Sequence, residues 1–157
     1  MKEADHKLLE RKAPVHWKTI LVPTDLSERS KQAVKAAAYL AEQCGAKVTL
    51  LHVVQMYSGS LETGTAADHF MDLARESLDQ IADDIPPGLI GEKLVAFGPQ
   101  GTFQKIVETA DEISSDLIVV ATHSYGPITR ALLGSLAVSV IRHASCAVLV
   151  VQQPPGQ

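Results

Sequence analysis

Aromatic residues are scarce in this chain. Phe, Trp and Tyr together make up 4% of 157 residues, so the core is expected to be built from Val, Leu, Ile and Ala. Cysteine is scarcer still. Cys44 and Cys146 stand far apart, with no CxxC or Cys/His ligand spacing. That argues against a disulfide scaffold or a metal pair and for two reduced, buried thiols. No apolar run approaches the about 18 residues of a membrane span. No positively charged leader with an apolar stretch opens the chain, and the reading is cytoplasmic. Basic residues are not in excess: the net charge is −4, which argues against nucleic acid as a bulk electrostatic partner. Two motifs of turnover are also missing. There is no GxxxxGK[ST] loop with its phosphate-holding lysine, and no nucleophile elbow with Ser, Asp and His in order. Asp25 lacks the acidic neighbour expected of a Mg²⁺-dependent phosphoacceptor.

What is present is a hydrophobic fraction of 46% with 20% charged residues, the balance of a folded domain. Residues 1–16 are mostly charged or polar and read as an extension, 17–152 as the domain, and 153–157 as a Pro-containing tail. The first β-rich burst is Thr19 to Val22, stopped by Pro23-Thr24-Asp25. Ser27 is expected to cap a helix from about Glu28 to Gln43, with Ala33, Val34, Ala37, Ala38, Leu40 and Ala41 apolar and Gly45 as its stop. Val48 to Val54 is the second strand. The polar segment Gln55 to Thr65 is too long for a routine connection. A helix from about Ala66 to Ala82 places Phe70, Leu73, Ala74, Leu78 and Ile81 on one face, and Pro86-Pro87-Gly88 ends it. The third strand is Glu92 to Phe97, broken by Gly98-Pro99. The helix Gln100 to Ile113 buries Phe103, Ile106, Val107, Ala110 and Ile113. Asp116 to Ala121 is the fourth strand, Ser135 to His143 the last helix, and Ala147 to Val151 the fifth strand.

The order βαβαβαβαβ predicts one α/β domain, doubly wound, with a parallel sheet covered by helices on both faces. Ligands of such folds bind beyond the carboxyl ends of the strands, where strand order reverses. The ends of strands one and four carry the unusual residues. After strand four the chain turns small and polar, and Gly134-Ser135 then opens a helix. Gly134 admits close approach of backbone, Ser135 can cap the helix, and free N–H groups of a helix start suit a phosphate. On those residues alone, a plain strand–helix junction is the alternative.

Several blocks in the right order are similar to the universal stress protein family. They are Ile20-Leu21-Val22-Pro23-Thr24-Asp25-Leu26-Ser27, then Leu51-His52-Val53-Val54, then Gly98-Pro99 with the helix leading to Asp116-Leu117-Ile118-Val119-Val120. Next come Ala121-Thr122-His123-Ser124 through Leu132-Leu133-Gly134-Ser135, and finally Val140 to Val151. The resemblance implies a five-stranded sheet in order 3-2-1-4-5, of the adenine-nucleotide alpha-hydrolase-like type, and a homodimer through the last strand. ATP-binding members carry Gly, two residues, Gly, nine residues, then Gly with Ser or Thr. That spacing falls here on positions 121, 124, 134 and 135, occupied by Ala121, Ser124, Gly134 and Ser135. Tyr125-Gly126-Pro127 also departs from the family pattern, which often has a basic residue at 125 and glycine at 127.

The implied ligand is ATP or AMP, with or without Mg²⁺. The resemblance places Pro23, Thr24 and Asp25 on the base and ribose side and the backbone of Val53 at the adenine edge. It wraps Ala121, Thr122, His123 and Ser124 around ribose and phosphates, and it sets Gly134, Ser135 and Leu136 at the phosphates. Arg130 is a secondary candidate for neutralising phosphate charge. Each has a plainer reading: Asp25 as a strand-end capping residue, Val53 as core, His123 as a packing residue rather than a base, Arg130 as a solvated surface charge. The functional expectation is a dimeric stress-response or signalling module that binds nucleotide. Two alternatives stay open: a dimeric interaction protein that binds none, and a slow ATPase or autophosphorylating protein.

Overall fold

The computed structural model describes residues 16–55, 64–122 and 134–152. Five strands form one parallel sheet: β1 (Thr19–Pro23), β2 (Lys47–Val54), β3 (Ile90–Phe97), β4 (Leu117–Thr122) and β5 (Ala147–Gln152). Their spatial order is β3-β2-β1-β4-β5, as expected. Among the described residues four α-helices connect them: α1 (Lys31–Cys44), α2 (Gly64–Ala82), α3 (Thr102–Glu112) and α4 (Ser135–His143), with a 3-10 turn at Pro87–Leu89 before β3.

Period-two alternation divides the strands between two cores. Ile20, Val22, Val48, Leu50, Leu117 and Val119 pack under α1 and α2. Leu21, Leu51, Val53, Ile118 and Val120 pack under α3 and α4. The central strands β1, β2 and β4 are therefore buried on both faces, which is why they read as unbroken aliphatic runs. In α1 the alanines lie against the sheet: Ala33, Val34, Ala37, Ala38 and Ala41 are all buried. Gly45 ends the helix at φ +70°, the left-handed conformation glycine adopts without a Cβ penalty, and its N–H returns to the Ala41 carbonyl.

Several local expectations are corrected. Helix α1 starts at Lys31 rather than Glu28, and Ser27 is not its cap. The chain first makes a turn in which Ser27 engages Asp25 and Ser30, so the capping chemistry is spent on the turn. Ser135 is not a cap either. It is the first residue of α4, and Gly134 stands at the cap position with no side-chain hydrogen bond. Strand β3 begins two residues early, at Ile90. Its pairing with β2 steps from Val48↔Ile90 to Leu50↔Lys93, so β3 carries an extra residue around Gly91. That bulge breaks the alternation on which the sequence reading of the strand depends.

Helix α2 buries Ala74, Leu78 and Ile81, but Phe70 and Leu73 are exposed at 59% and 45%. Its amphipathic stripe extends past the part of the helix that the sheet covers. Cys44 and Cys146 are free but only half-buried. Cys44 donates its thiol to the Leu40 carbonyl, and burial pushes the Cys146 thiol pKa up. Most of the polar segment 55–65 falls outside the described residues.

Candidate functional site

Strand order reverses between β1 and β4: from β1 the sheet grows through β2 to β3 on one side, and through β4 to β5 on the other. A cleft of about 800 Å³ opens there, at the carboxyl ends of β1, β2 and β4. Its floor is apolar, with Leu51, Val53, Ile106, Val120 and Ala121. Its rim is polar, with Thr24, Asp25, His52, Gln55, Thr102 and Ser135.

Strand β2 continues to Val54, while β1 pairs no further than Pro23 with Leu51. The last residues of β2 thus run past the end of β1 and face the cleft. The β1–α1 turn closes one side. Asp25 Oδ1 accepts from the Ser27 N–H at 3.0 Å and from the Ser27 hydroxyl. On another side, α3 begins after Gly101, and Gln55 Nε2 donates to Thr102 Oγ1 at 2.6 Å, joining the end of β2 to the start of α3. On the far side α4 begins at Gly134 and presents Ser135, Leu136 and Ser139.

The helix starts matter electrostatically. Neither α3 nor α4 has a side-chain cap at its first turn. Among the described residues no side chain takes up their leading N–H groups, and the positive ends of both dipoles lie at the cleft. Among the described lining residues there is no Lys or Arg; the ionisable side chains are Asp25 and His52. An anion held by these residues would be held by backbone N–H groups and hydroxyls rather than by a charge partner. No group of three or more His, Cys, Asp or Glu side chains able to hold a metal ion occurs among the described residues.

Of the sequence candidates, Pro23, Thr24, Asp25, Val53, Ala121, Ser135 and Leu136 come together on this cleft. They are drawn from four segments spread over more than a hundred residues of sequence. Thr122 is buried next to Ala121 and is not among the lining residues. Gly134 stands at the head of α4 with nothing within 4 Å of where a Cβ would lie. His123, Ser124 and Arg130 lie outside the described residues.

Sequence reasoning missed His52, Gln55, Thr102, Phe103 and Gln104, all of which line the cleft. For Thr102, Phe103 and Gln104 a signal was available: the break at Gly98-Pro99 ends β3 at the same end of the sheet as strands one and four. Nothing local in the sequence distinguished His52 from a strand residue.

The family model for universal stress proteins matches residues 16–152. The chain belongs to the universal stress protein family. A universal stress protein of Methanocaldococcus jannaschii is 33% identical over 145 residues, covering 88% of this chain and 84% of the relative. A solved universal stress family structure from Burkholderia pseudomallei aligns with a TM-score of 0.70 at 25% identity, covering 88% of this chain and 98% of that one. A universal stress protein of Archaeoglobus fulgidus, solved in complex with dAMP, aligns with a TM-score of 0.59 at 22% identity, covering 87% and 98%. At that identity the Archaeoglobus protein speaks for the shared fold. Among the described residues, no helix of this universal stress protein is long and apolar enough to cross a membrane.

Proposed function

We propose that this universal stress protein binds an adenine nucleotide, AMP or ATP, in the cleft between β1, β2 and β4, and that occupancy of the cleft is the signal it transmits. The observation that carries the reading is the cleft itself. An apolar floor wide enough for a purine meets a helix start, Gly134-Ser135, whose N–H groups have no side-chain cap. Support comes also from the family and from the dAMP held by the Archaeoglobus relative of the same fold. In this reading the base lies over Val53 beside Asp25. Ala121, with Thr122, His123 and Ser124, borders the ribose and phosphates through main-chain N–H groups. Gly134, Ser135 and Leu136 hold the phosphates, with Arg130 as an added charge. Binding to the folded state alone stabilises that state, which links occupancy to conformation. The working unit is a cytoplasmic homodimer joined through β5, the strand at one edge of the sheet.

A second reading is favoured by one observation. Ala121 is among the residues lining the cleft, at a position where the resemblance implies glycine in nucleotide-binding members. If its methyl group closes the phosphate side, the protein is a dimeric interaction module without nucleotide.

The test is Gly134→Val. Gly134 has φ −55°, and among the described residues nothing lies within 4 Å of its Cβ position, so its backbone accepts a side chain. That side chain would occupy the approach to the helix start. Isothermal titration of nucleotide-stripped protein with AMP and ATP, with and without Mg²⁺, should show binding by the wild type and at least tenfold weaker binding by the variant. Equal affinity in the folded variant would sink the phosphate site. No binding by the wild type at millimolar nucleotide would leave the interaction module.

A further inference from the structure

The turn between β1 and α1 is organised around Thr24, and every polar group of Thr24 is engaged. Its N–H donates to the Leu51 carbonyl at 2.8 Å. Its carbonyl faces Nδ1 of His52 at 2.9 Å. Its hydroxyl oxygen accepts from the Leu26 N–H at 3.0 Å and lies 2.7 Å from the Ser30 hydroxyl.

Proton counting gives each bond one direction. A carbonyl oxygen only accepts, so Nδ1 of His52 carries a proton, and Nε2 is the ring nitrogen turned away from the turn. The Ser30 hydroxyl already donates to the Ser27 carbonyl at 2.8 Å. The Thr24 hydroxyl therefore donates to Ser30. The network runs from His52 on β2, through Thr24, to Ser30 at the head of α1.

Two residues of the turn show what this network holds. Leu26 stands at φ +64°, a left-handed conformation that a side chain disfavours and that persists only where the surroundings impose it. Its N–H is one of the groups bound to Thr24. Asp25 sits between Thr24 and Leu26, at the cleft. Its backbone direction follows from theirs, while its carboxylate accepts from Ser27. Each polar group of Thr24 already has a partner in the turn or on β2, so its part at the site is to fix its neighbour.

We propose that His52 is a positioning residue for the nucleotide: its Nδ1–H latches the Thr24 carbonyl, and through Thr24 it fixes Asp25 at the mouth of the cleft. This rests on the nucleotide reading of the cleft. The latch joins residues 28 apart in sequence, so it forms only when β2 lies beside β1. It costs no reorganisation when ligand arrives, because the turn is already held in the binding geometry.

Three substitutions separate the roles of the imidazole. Asn sets its amide nitrogen near the place of Nδ1, Gln near that of Nε2, and Ala offers neither. Titration with AMP should show His52→Ala and His52→Gln weakened about fivefold, the worth of one partly buried hydrogen bond. His52→Asn should stay within about twofold of the wild type. Hydrogen exchange of the Leu26 amide, measured without nucleotide, should quicken in Ala and Gln and hold in Asn. Should the Ala variant not fold, the Asn and Gln pair still decides. Retained binding in Gln with loss in Asn would overturn the latch in favour of direct ligand contact by Nε2. An unchanged Leu26 exchange rate in His52→Ala would also overturn it. Absence of AMP binding by the wild type would instead strike the nucleotide reading, and the exchange data would report on the latch independently.

Discussion

Gly98 closes the end of β3 against the floor of the cleft, and replacing it with Ala tests how tightly that floor is packed. A Cβ at Gly98 would lie 2.6 Å from Cγ1 of Val53 and 3.2 Å from the Gly101 carbonyl oxygen. Carbon atoms in good contact stand about 3.5–4.0 Å apart, so Val53 must retreat by about 1 Å. It has little freedom to do so. Val53 is buried, β-branched and stiff at χ1, and its backbone is held in register with Ala96 of β3. Gly98 is not one of the positive-φ glycines, so the penalty is steric rather than conformational. Overpacking of this kind costs about 1–3 kcal/mol. For a chain of this length, each kcal/mol corresponds to a fall in Tm of about 2–4 °C. The cycle with Val53→Ala sharpens the test. Val53→Ala alone removes two methyl groups from the core and costs about 1.5–2.5 kcal/mol. In the double variant the methyl group added at position 98 enters the space that Cγ1 leaves. Urea unfolding should therefore give a double variant less destabilised than the sum of the singles by about 1–2 kcal/mol. A Gly98→Ala loss below about 0.5 kcal/mol, or additivity within that margin, would refute the packing argument.

Asp116 lies at the opposite end of the sheet and makes a prediction about acid. Its Oδ2 accepts from the Lys18 and Thr19 N–H groups at 2.7 and 3.0 Å, and these two bonds hold its carboxyl below the usual carboxylate range, against the opposing effect of burial. A lowered folded pKa means that the stabilisation is complete above the unfolded value, about 3.9, and is lost as pH falls through the folded one. Asp116→Ala should cost about 1–2 kcal/mol at neutral pH and show a shallower loss of stability below about pH 4, read by urea midpoints across that range. The proposed dimer makes a prediction at β5. Leu149 is 37% exposed on that edge strand, and Leu149→Glu should convert a sedimenting dimer into a folded monomer. A wild type that sediments as a monomer would remove β5 as the joint.

Much of the fold was legible because its signals are local. The aliphatic bursts at 19–22, 48–54 and 117–121 are buried on both faces, and continuous apolar runs are what such strands require. The buried stripe Ile106 and Ala110 of α3 follows helical spacing without interruption. Where the expectations failed, the local pattern was overridden by a competing local bond, by the reach of the sheet, or by strand register. Ser27 has the chemistry of a cap, but it is used by Asp25 and Ser30. Phe70 and Leu73 follow the helical period of α2, yet no element covers them among the described residues. An extra residue at Gly91 shifts β3 against β2 and hides the start of the strand.

The candidate site divides in the same way. Asp25, Ala121 and Gly134-Ser135 were visible in the sequence because they interrupt the pattern at strand ends and a helix start, and because the spacing of 121, 124, 134 and 135 matches a family motif. His52 sits inside an ordinary strand pattern, and Thr102 and Gln104 sit at the start of an ordinary helix. Their place on the cleft depends on β2 lying between β1 and β3, and on bonds between groups 28 and 47 residues apart. By itself the sequence determined the elements, the two apolar faces and the family, since periodicity and motif spacing act over a few residues at a time. Only the tertiary structure decided which polar groups meet at the cleft, because those meetings are set by strand order and register, and the same local pattern is compatible with many of both.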